Sequence, residues 1–382
     1  MIKLLLAVAS LLFSHQAPPA QPPADGITEK EAIEFARLIE QGLLDGKPEA
    51  FDSVIDSEAI VEESTRGLEL TSRERAAFGR GVTKGSALGK SFDSKSGSSF
   101  RFLRQRLVDG KRQLVFRHFR TEGFNYQEFR LGRKPTGEIR IVDVFSHLNG
   151  EWTTAQGRRM ALSIVADDPT RRGKLQRRDV DLAEHFEAIQ KLNLVALNGN
   201  PAEAQAIYDS LPDTLKQEKI VQMLKLQAAR RLGPAEFVKA EEEFNRRLPG
   251  DASKDMIGMY AHYHKGEYER SIKCIDSVDS SIGGDPLLEF FRGNAYLKMG
   301  KLDQAKRAGQ KATREVPYIL EPRALLVSIS LKEKGHTETL ALLLAIERDF
   351  GVVFENLESN KEYAEFVKSN EYRDWMKSRA SK

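Results

Sequence analysis

An aspartate and a histidine on one predicted strand are the side chains best placed for acid–base chemistry. The strand covers residues 138–148, and alternation puts Asp143 and His147 on the same face. His118 and Tyr126 lie on neighbouring predicted strands, so either side chain could reach the same pocket. A carboxylate and an imidazole in an apolar cavity can exchange protons with a bound molecule. A buried, hydrogen-bonded aspartate beside a surface histidine explains the same residues, and we expect no catalytic role.

The chain offers little for other kinds of chemistry. Its one cysteine, Cys274, excludes an intrachain disulfide and a cysteine-only metal site. His262 and His264 are two residues apart on a predicted helix, a spacing that points them to different faces rather than to one metal ion. Segment 85–91 has three residues between its glycines, where a phosphate-binding loop has four. We therefore expect no cofactor and no metal.

The N-terminus has the layout of an export signal. Lys3 is followed by an uninterrupted apolar run over residues 4–13 and then by a polar, proline-rich stretch that reaches residue 24. An apolar run of ten residues is too short to cross a bilayer, which needs about 20. Later apolar stretches are also short and are flanked by charges, so we expect no membrane span. The sequence predicts an exported protein, periplasmic or extracellular, with residues 1–24 as signal peptide and tether.

Basic residues are concentrated in the predicted strands. Residues 101–140 contain eleven Lys or Arg and four Asp or Glu, with aromatic residues between them. Such a surface is typical of nucleic-acid binding, but an exported protein meets anionic polymers of the cell surface instead, and we expect no nucleic-acid partner. In the alternative interpretation, which we favour, Arg117, Arg120, Arg130 and Arg140 are the solvent-facing positions of half-buried strands.

Two domains are expected because the character of the chain changes near residue 178. The formal net charge of +3 divides into +6 over residues 1–178 and −3 over the rest. Residues 166–178 are polar and basic, and they are expected to form the linker between the domains.

The part before the linker predicts an α+β domain over residues 27–165. A helical stripe begins with Thr28 and Glu31, which are spaced as a capping box, and a second short helix is expected over 49–60. Segments rich in β-branched and aromatic residues follow from residue 100, with hairpin turn sequences such as Asp109-Gly110 between them.

Helices followed by a long antiparallel meander, which ends in the strand phrase from Gly137 to Phe145, form an order similar to that of the nuclear-transport-factor-2-like superfamily. The resemblance implies helices packed on a curved antiparallel sheet with a pocket between them. Members of that superfamily include isomerases and dehydratases, and many others are binding or assembly modules.

The second half of the chain is periodic. Glycines at predicted helix turns recur at intervals of 34, 33, 34 and 35 residues, at Gly199, Gly233, Gly266, Gly300 and Gly335. A fixed period of this length indicates stacked helical repeats, and residues 179–350 would hold five of them. The alternative is a bundle of unrelated helical hairpins.

The unit around Gly300 carries the most specific motif. Small, aromatic and turn residues stand at set positions in it and in the preceding unit: Gly266, Gly293, Tyr296, Gly300, Ala305, Ala312 and Pro317. Small residues let two helices approach closely, glycine accepts the turn between them, and proline ends the second helix. The pattern resembles the tetratricopeptide repeat family.

The tetratricopeptide resemblance implies a concave surface, formed by the first helix of each unit, that binds a protein or peptide. Candidate groove residues on these helices are His262, Glu289, Arg292, Asn294 and Lys298. Residues 351–382 are expected to form a capping helix that covers the apolar face of the last unit.

The sequence thus predicts an exported, non-catalytic, multidomain protein. An α+β domain is followed by an all-α helical-repeat solenoid whose groove binds a protein or peptide. Two alternatives stay open. One is a small-ligand binder, or an isomerase-like or dehydratase-like enzyme, that uses a pocket in the first domain. The other is a binder of anionic cell-surface polymers that uses the basic sheet.

Overall fold

The structure is a computed structural model that describes residues 26–85, 99–120, 123–166 and 168–380. The predicted signal peptide and tether lie outside the described residues, as does most of segment 85–91. The chain divides into two compact units. The first comprises residues up to 66 with 71–145 and 152–157, and the second comprises 67–70, 146–151 and the chain from residue 158.

An antiparallel meander forms the sheet, and its strands lie side by side in sequence order. They are β1 (Ser99–Val108), β2 (Lys111–Arg120), β3 (Gly123–Arg133), β4 (Ile139–Ser146) and β5 (Glu151–Trp152). The β1–β2 hairpin turns at Asp109 and Gly110, which both have a positive φ (50° and 72°). The most frequent two-residue hairpin turn requires this geometry, and it twists the chain in the same sense as the strands. The predicted meander is confirmed.

Four helices precede the sheet: α1 (Glu29–Leu44), α2 (Pro48–Asp52), α3 (Ser57–Thr65) and α4 (Ser72–Gly85). Thr28 caps α1 through reciprocal hydrogen bonds with Glu31, so the predicted capping box is confirmed. The single short helix predicted over 49–60 is wrong. Between α2 and α3 the backbone extends along β4, and Ile141 exchanges hydrogen bonds with Val54 (2.9 Å) and Asp56 (2.8 Å).

Aromatic rings fill the space between the helices and the sheet. Phe51 of α2 and Phe100, Phe116 and Phe129 of the first three strands are at most 1% exposed. Their ring centroids lie 4.8 to 6.1 Å apart in the contacting pairs. Burying one such side chain stabilises a fold by roughly 1.5–3 kcal/mol, so this cluster is the core of the first unit. The rings occupy the place where the resemblance implied a pocket.

The residues predicted as a basic linker form short helices in the second unit. The division between the units falls within α5 (Thr153–Ala166), and α6 (Pro169–Arg172) and α7 (Arg177–Glu184) follow. Arg171 donates a hydrogen bond to the Glu69 carbonyl oxygen (3.0 Å), and Lys174 Nζ lies 2.8 Å from the Glu69 carboxylate. These basic side chains therefore hold segment 67–70 within the second unit.

Five consecutive helical hairpins follow in the described chain. They pair α8 (Phe186–Asn198) with α9 (Pro201–Ser210), α11 (Lys219–Leu232) with α12 (Pro234–Arg247), α13 (Lys254–Lys265) with α14 (Tyr268–Ile282), α15 (Leu288–Lys298) with α16 (Leu302–Glu315), and α17 (Glu321–Lys332) with α18 (His336–Phe350). The short helix α10 (Asp213–Lys216) lies between the first two hairpins. At the turns, Gly266 and Gly300 have φ values of 78° and 72°, which glycine adopts without strain. The predicted fold class, an α+β domain followed by a helical solenoid, is confirmed.

Gly293 marks a close approach of three helices. A Cβ atom at this position of α15 would lie 2.6 Å from Leu325 Cδ2 of α17 and 3.4 Å from the Ala305 carbonyl oxygen of α16. Ala305 is fully buried, and Tyr296 packs beside it in the same apolar cluster. Small side chains at these contacts let neighbouring helices pack at short range, which is the role that the repeat motif predicts for them.

A polar network joins the first two hairpins. Tyr208 of α9 donates a hydrogen bond to Glu243 of α12 (2.7 Å) and accepts one from Gln222 of α11 (2.9 Å). Glu243 also pairs with Lys225 and with Arg247 (2.8 Å). Burial raises the pKa of Glu243, but the hydrogen bonds from Lys225, Tyr208 and Arg247 outweigh it and lower the pKa to about 2.

The substitution Glu243→Gln is expected to lower the free energy of unfolding by about 2 kcal/mol at neutral pH, because the ionised partner of three donors is lost. The folded-state pKa lies below the ordinary 4.5, so the ionised carboxylate stabilises the fold above pH 4.5. This contribution is lost as the pH falls toward 2, and the difference between the two proteins should shrink over that window. Denaturant unfolding across this pH range measures it. The exposed Glu236→Gln is the control, and an equal loss in both variants would contradict the prediction.

The C-terminal segment packs on the last hairpin. Three 3₁₀ turns (Leu357–Ser359, Lys361–Tyr363 and Phe366–Lys368) precede α19 (Asn370–Ala380). Phe366, Tyr372 and Trp375 are at most 6% exposed and belong to one cluster with Leu343 and Ile346 of α18. The cap is not the continuous helix predicted over 351–382. Asn356 takes a left-handed φ of 56° and Asn360 caps a short turn, so regular helix begins only at residue 370.

Within the part of the chain that the structure describes, no helix combines the length and the apolar character needed to cross a bilayer.

Candidate functional site

The candidate pocket residues of the first domain do not come together. In the β2–β3 register, Tyr126 lies opposite Arg117, and His118 lies opposite Asn125. Opposed residues of antiparallel strands share a face and successive residues alternate, so His118 and Tyr126 point to opposite faces of the sheet. His118 lies on the side of the aromatic core, with its ring 5.9 Å from that of Phe100. Burial lowers the pKa of His118 to about 4, so the imidazole is neutral at pH 7.

Asp143 is held by structural partners. Its carboxylate accepts hydrogen bonds from the Thr154 hydroxyl (2.7 Å), the Thr154 N–H (3.1 Å) and the Val144 N–H (2.9 Å). Arg130 Nη1 lies 3.8 Å from the same carboxylate. Burial raises the pKa of Asp143, and the hydrogen bonds from Thr154 and Val144 oppose that shift. Because Thr154 lies in the first turn of α5, Asp143 satisfies free N–H groups at a helix start and fastens β4 to α5.

The predicted alternation of β4 breaks before the strand ends. Ile141 and Val144 both belong to the core cluster on the helix side, so the side chains between them do not simply alternate. β4 ends at Ser146, and His147 follows it as part of the second unit. The prediction that Asp143 and His147 share one strand face is therefore wrong. A local change of alternation depends on tertiary packing and leaves no signal in the strand sequence.

The basic strand residues do not form an open row. Arg117 is 1% exposed, and its neighbours on the same face, Val115 and Tyr126, are fully buried. The Arg130 guanidinium lies 3.9 Å from the Trp152 ring centroid, and Arg140 donates to the Ser53 carbonyl oxygen (2.8 Å). The expectation that this face is open to solvent is therefore wrong for Arg117. Alternation identifies the polar positions, but it does not show that both faces of a sheet are covered.

Two adjoining cavities open on the first helices of the last three hairpins. The larger one, the basic cavity, has a volume of about 480 Å³. It is lined by Tyr263, Asn294, Leu297, Lys298, Ser328, Leu331, Lys332 and, from a C-terminal 3₁₀ turn, Glu362. The smaller one, the aromatic cavity, has a volume of about 220 Å³. It is lined by Met259, Tyr260, Tyr263, His264, Ser271, Ile275, Phe290, Phe291 and Asn294. Tyr263 and Asn294 line both cavities and join them into one surface.

The cavity walls are built from repeated helix positions. Three rows of side chains, with members 34 residues apart, contribute: Tyr260, Asn294 and Ser328; Tyr263, Leu297 and Leu331; His264, Lys298 and Lys332. Within each helix the three positions are i, i+3 and i+4, which lie on one face. The surface is therefore the same face of α13, α15 and α17, and it repeats with the period of the hairpins.

A scan against protein-family models finds no match to the chain. A search of curated proteins finds no match either. The function is therefore argued from the geometry of this face.

The predicted groove residues separate into two groups. Asn294 and Lys298 line the basic cavity, whereas His262, Glu289 and Arg292 line neither cavity. The three lie against neighbouring segments of the array. His262 Nδ1 lies 2.7 Å from Glu267 Oε2, Glu289 pairs with Lys311 of α16 (3.0 Å), and Arg292 lies 2.8 Å from Asp276 and Asp279 of α14. Their placement in the groove is wrong because these helix positions face the second helices.

Sequence reasoning missed most of the lining residues. Tyr260, Tyr263 and His264 of α13 stand 34 residues before Asn294, Leu297 and Lys298, and Ser328, Leu331 and Lys332 stand 34 after them. Projecting Asn294 and Lys298 through the repeat would have identified the outer two rows. In the described residues, no group of three or more His, Cys, Asp or Glu is arranged to hold a metal ion.

Proposed function

We propose that the second unit is a tetratricopeptide-repeat array that binds an extended segment of a partner protein along its first helices. The observation that carries this proposal is the joined pair of cavities, whose walls repeat with the 34-residue period of the hairpins. Stacked hairpins place equivalent positions side by side, so a ligand can contact one helix after another. An extended peptide suits such a surface because its side chains can enter successive cavities.

The assignment to the tetratricopeptide family is supported by helix packing around the most specific unit. Gly293 lies where a larger residue would collide with α17, and Ala305 and Ala312 are fully buried on α16. Gly266 and Gly300 take the left-handed turn conformation, and Pro317 follows the end of α16. These are the packing and turn roles that the motif implies.

We further propose that the protein is exported and that its first unit is a non-catalytic module similar to the nuclear-transport-factor-2-like superfamily. The export proposal is supported by the sequence of residues 1–24. The order of helices and meander supports the second resemblance. A binding or assembly role is favoured for this unit because phenylalanine rings occupy its interior and His118, Tyr126 and Asp143 do not share one face.

The proposal is tested by selecting peptides from a random display library on the full chain. The matched variant is Asn294→Trp, which places a large side chain where the two cavities join. Its control is Lys273→Trp, at an exposed position of α14 that lines neither cavity. We expect peptides that bind the wild type and Lys273→Trp and whose affinity for Asn294→Trp falls about tenfold or more. Equal binding to all three proteins, or no enriched peptide, would overturn the proposal. Circular dichroism verifies that each variant is folded.

A further inference from the structure

A row of basic residues runs across the first helices at one repeat position. Arg230, His264, Lys298 and Lys332 are each separated by 34 residues, and each stands in the last turn of the first helix of its hairpin. All four side chains are exposed. The last turn of a helix favours cations, which makes a basic residue tolerable there. Equal spacing through stacked hairpins also aligns the four charges, and we call this set the basic row.

Contacts between successive hairpins show that the basic row is continuous. The Arg230 guanidinium lies 5.5 Å from the Tyr260 ring centroid, and the Tyr260 ring lies 5.1 Å from that of His264. Further along the array, Lys298 and Lys332 line the same basic cavity. The row therefore borders the aromatic cavity at His264 and enters the basic cavity at Lys298.

The two lysines of the basic row keep their charge available. Among the described residues, no carboxylate oxygen lies within 4.0 Å of Lys298 or Lys332. Lysines of the second helices behave differently, since Lys306 pairs with Glu333 and Glu338, and Lys311 pairs with Glu289. The cavity that holds Lys298 and Lys332 thus offers two cations to a ligand.

The aromatic cavity adds an apolar requirement. Its walls include Tyr260, Phe290, Phe291 and Ile275, and its volume is about 220 Å³. An apolar cavity of about 150 Å³ is enough to bind benzene, so this one has room for one aromatic or large aliphatic side chain. An anionic polysaccharide would supply carboxylates to the basic row, but it has no such side chain. A peptide supplies both.

We propose that the ligand of this face is an acidic peptide segment in extended conformation, with one large apolar side chain in the aromatic cavity and carboxylates along the basic row. This inference rests on the proposed function and names its ligand class. Packed helices lie about 8–10 Å apart, and an extended chain advances about 3.3 Å per residue. Carboxylates about three residues apart therefore match successive members of the row.

The test uses fluorescein-labelled synthetic peptides of roughly a dozen residues, long enough to cross three helices. The main probe carries aspartate at every third position and one phenylalanine. In one matched probe the phenylalanine is alanine, in a second the aspartates are asparagine, and in a third they are lysine. Fluorescence anisotropy with the full chain should show about tenfold weaker binding of the alanine and asparagine probes. Affinity for the main probe should fall as salt is raised, because exposed charges are screened.

The charge assignment is tested by reversing it. The double variant Lys298→Glu with Lys332→Glu should bind the main probe about tenfold or more weakly and should bind the lysine probe more tightly than the wild type does. A folding defect would not produce this exchange of preference. The control Lys273→Glu changes an exposed charge on α14 and should leave both affinities within about twofold.

The outcomes separate this inference from the proposed function. If display-selected neutral or basic peptides bind the face and are lost with Asn294→Trp, while the acidic probe does not bind, the ligand class is wrong and the proposed function stands. If no peptide binds, both are overturned. If polyglutamate or heparin competes with the main probe as well as the unlabelled main probe does, a polymer rather than a peptide is the ligand, and this inference is overturned.

Discussion

Replacing Phe129 with alanine is expected to lower the free energy of unfolding of the first unit by about 4 kcal/mol. The Phe129 side chain is fully buried, with its ring centroid 5.0 Å from that of Phe116 and 5.2 Å from that of Phe51. Its removal leaves a cavity between a sheet and helices that cannot fully close, so lost contacts add to the lost transfer free energy. Denaturant unfolding followed by Trp152 fluorescence measures the change in a Trp375→Phe background, because the chain has two tryptophans.

Leu38→Ala is the matched control for this substitution. Leu38 lies in the same unit but is 72% exposed, so its loss should change the free energy of unfolding by at most about 0.5 kcal/mol. If Phe129→Ala does not fold, Phe129→Leu keeps the position apolar and should cost about 1 kcal/mol. Similar losses for Leu38→Ala and either Phe129 variant would contradict the assignment of the aromatic cluster as the core.

Phe366→Ala is expected to destabilise the end of the helical array by about 4 kcal/mol. Phe366 is 1% exposed and packs against Tyr372 of α19 and Tyr363, at centroid distances of 5.5 and 6.4 Å. It belongs to the cluster that joins the C-terminal segment to α17 and α18. Terminal repeats need such a cover because their outer face is apolar. Trp375 fluorescence in a Trp152→Phe background reports the transition, since Trp375 belongs to the same cluster.

The control for the cap is Val353→Ala, in the same C-terminal segment at a site that is 64% exposed. We expect a change of at most about 0.5 kcal/mol for this variant. The prediction for Phe366 also has a local signature. Amide exchange of α17 and α18 should accelerate more than that of α8 and α9, because repeat arrays lose stability mainly near the altered interface. A uniform change along the array would contradict the role of Phe366 as part of a terminal cap.

The fold could be predicted where the signals are local. Asp109-Gly110 specifies its hairpin turn, Thr28 and Glu31 specify the start of α1, and Gly266 and Gly300 specify turns of a repeating unit. The break between α2 and α3 could not be predicted, because hydrogen bonds to the distant Ile141 determine it. The same reason applies to β4, where tertiary packing rather than sequence pattern sets the alternation.

The candidate site could be predicted only in part. Asn294 and Lys298 were placed correctly on the open face of α15, but His262 was chosen instead of His264. A helix turns about 100° per residue, so a shift of two residues rotates a side chain by about 200° and moves it from the groove to the contact with the second helix. Composition does not distinguish these faces, since both carry polar residues. The 34-residue projection does, because it compares equivalent positions.

Hydrogen–deuterium exchange of the full chain with and without the acidic, phenylalanine-containing peptide tests the central claim most directly. At a saturating peptide concentration, amide exchange is expected to slow in the last turns of α13, α15 and α17, where the basic row and the cavities lie, and to stay unchanged in α14 and α16. Slowed exchange confined to the first unit or to the second helices, or no change at any described residue, would contradict the account.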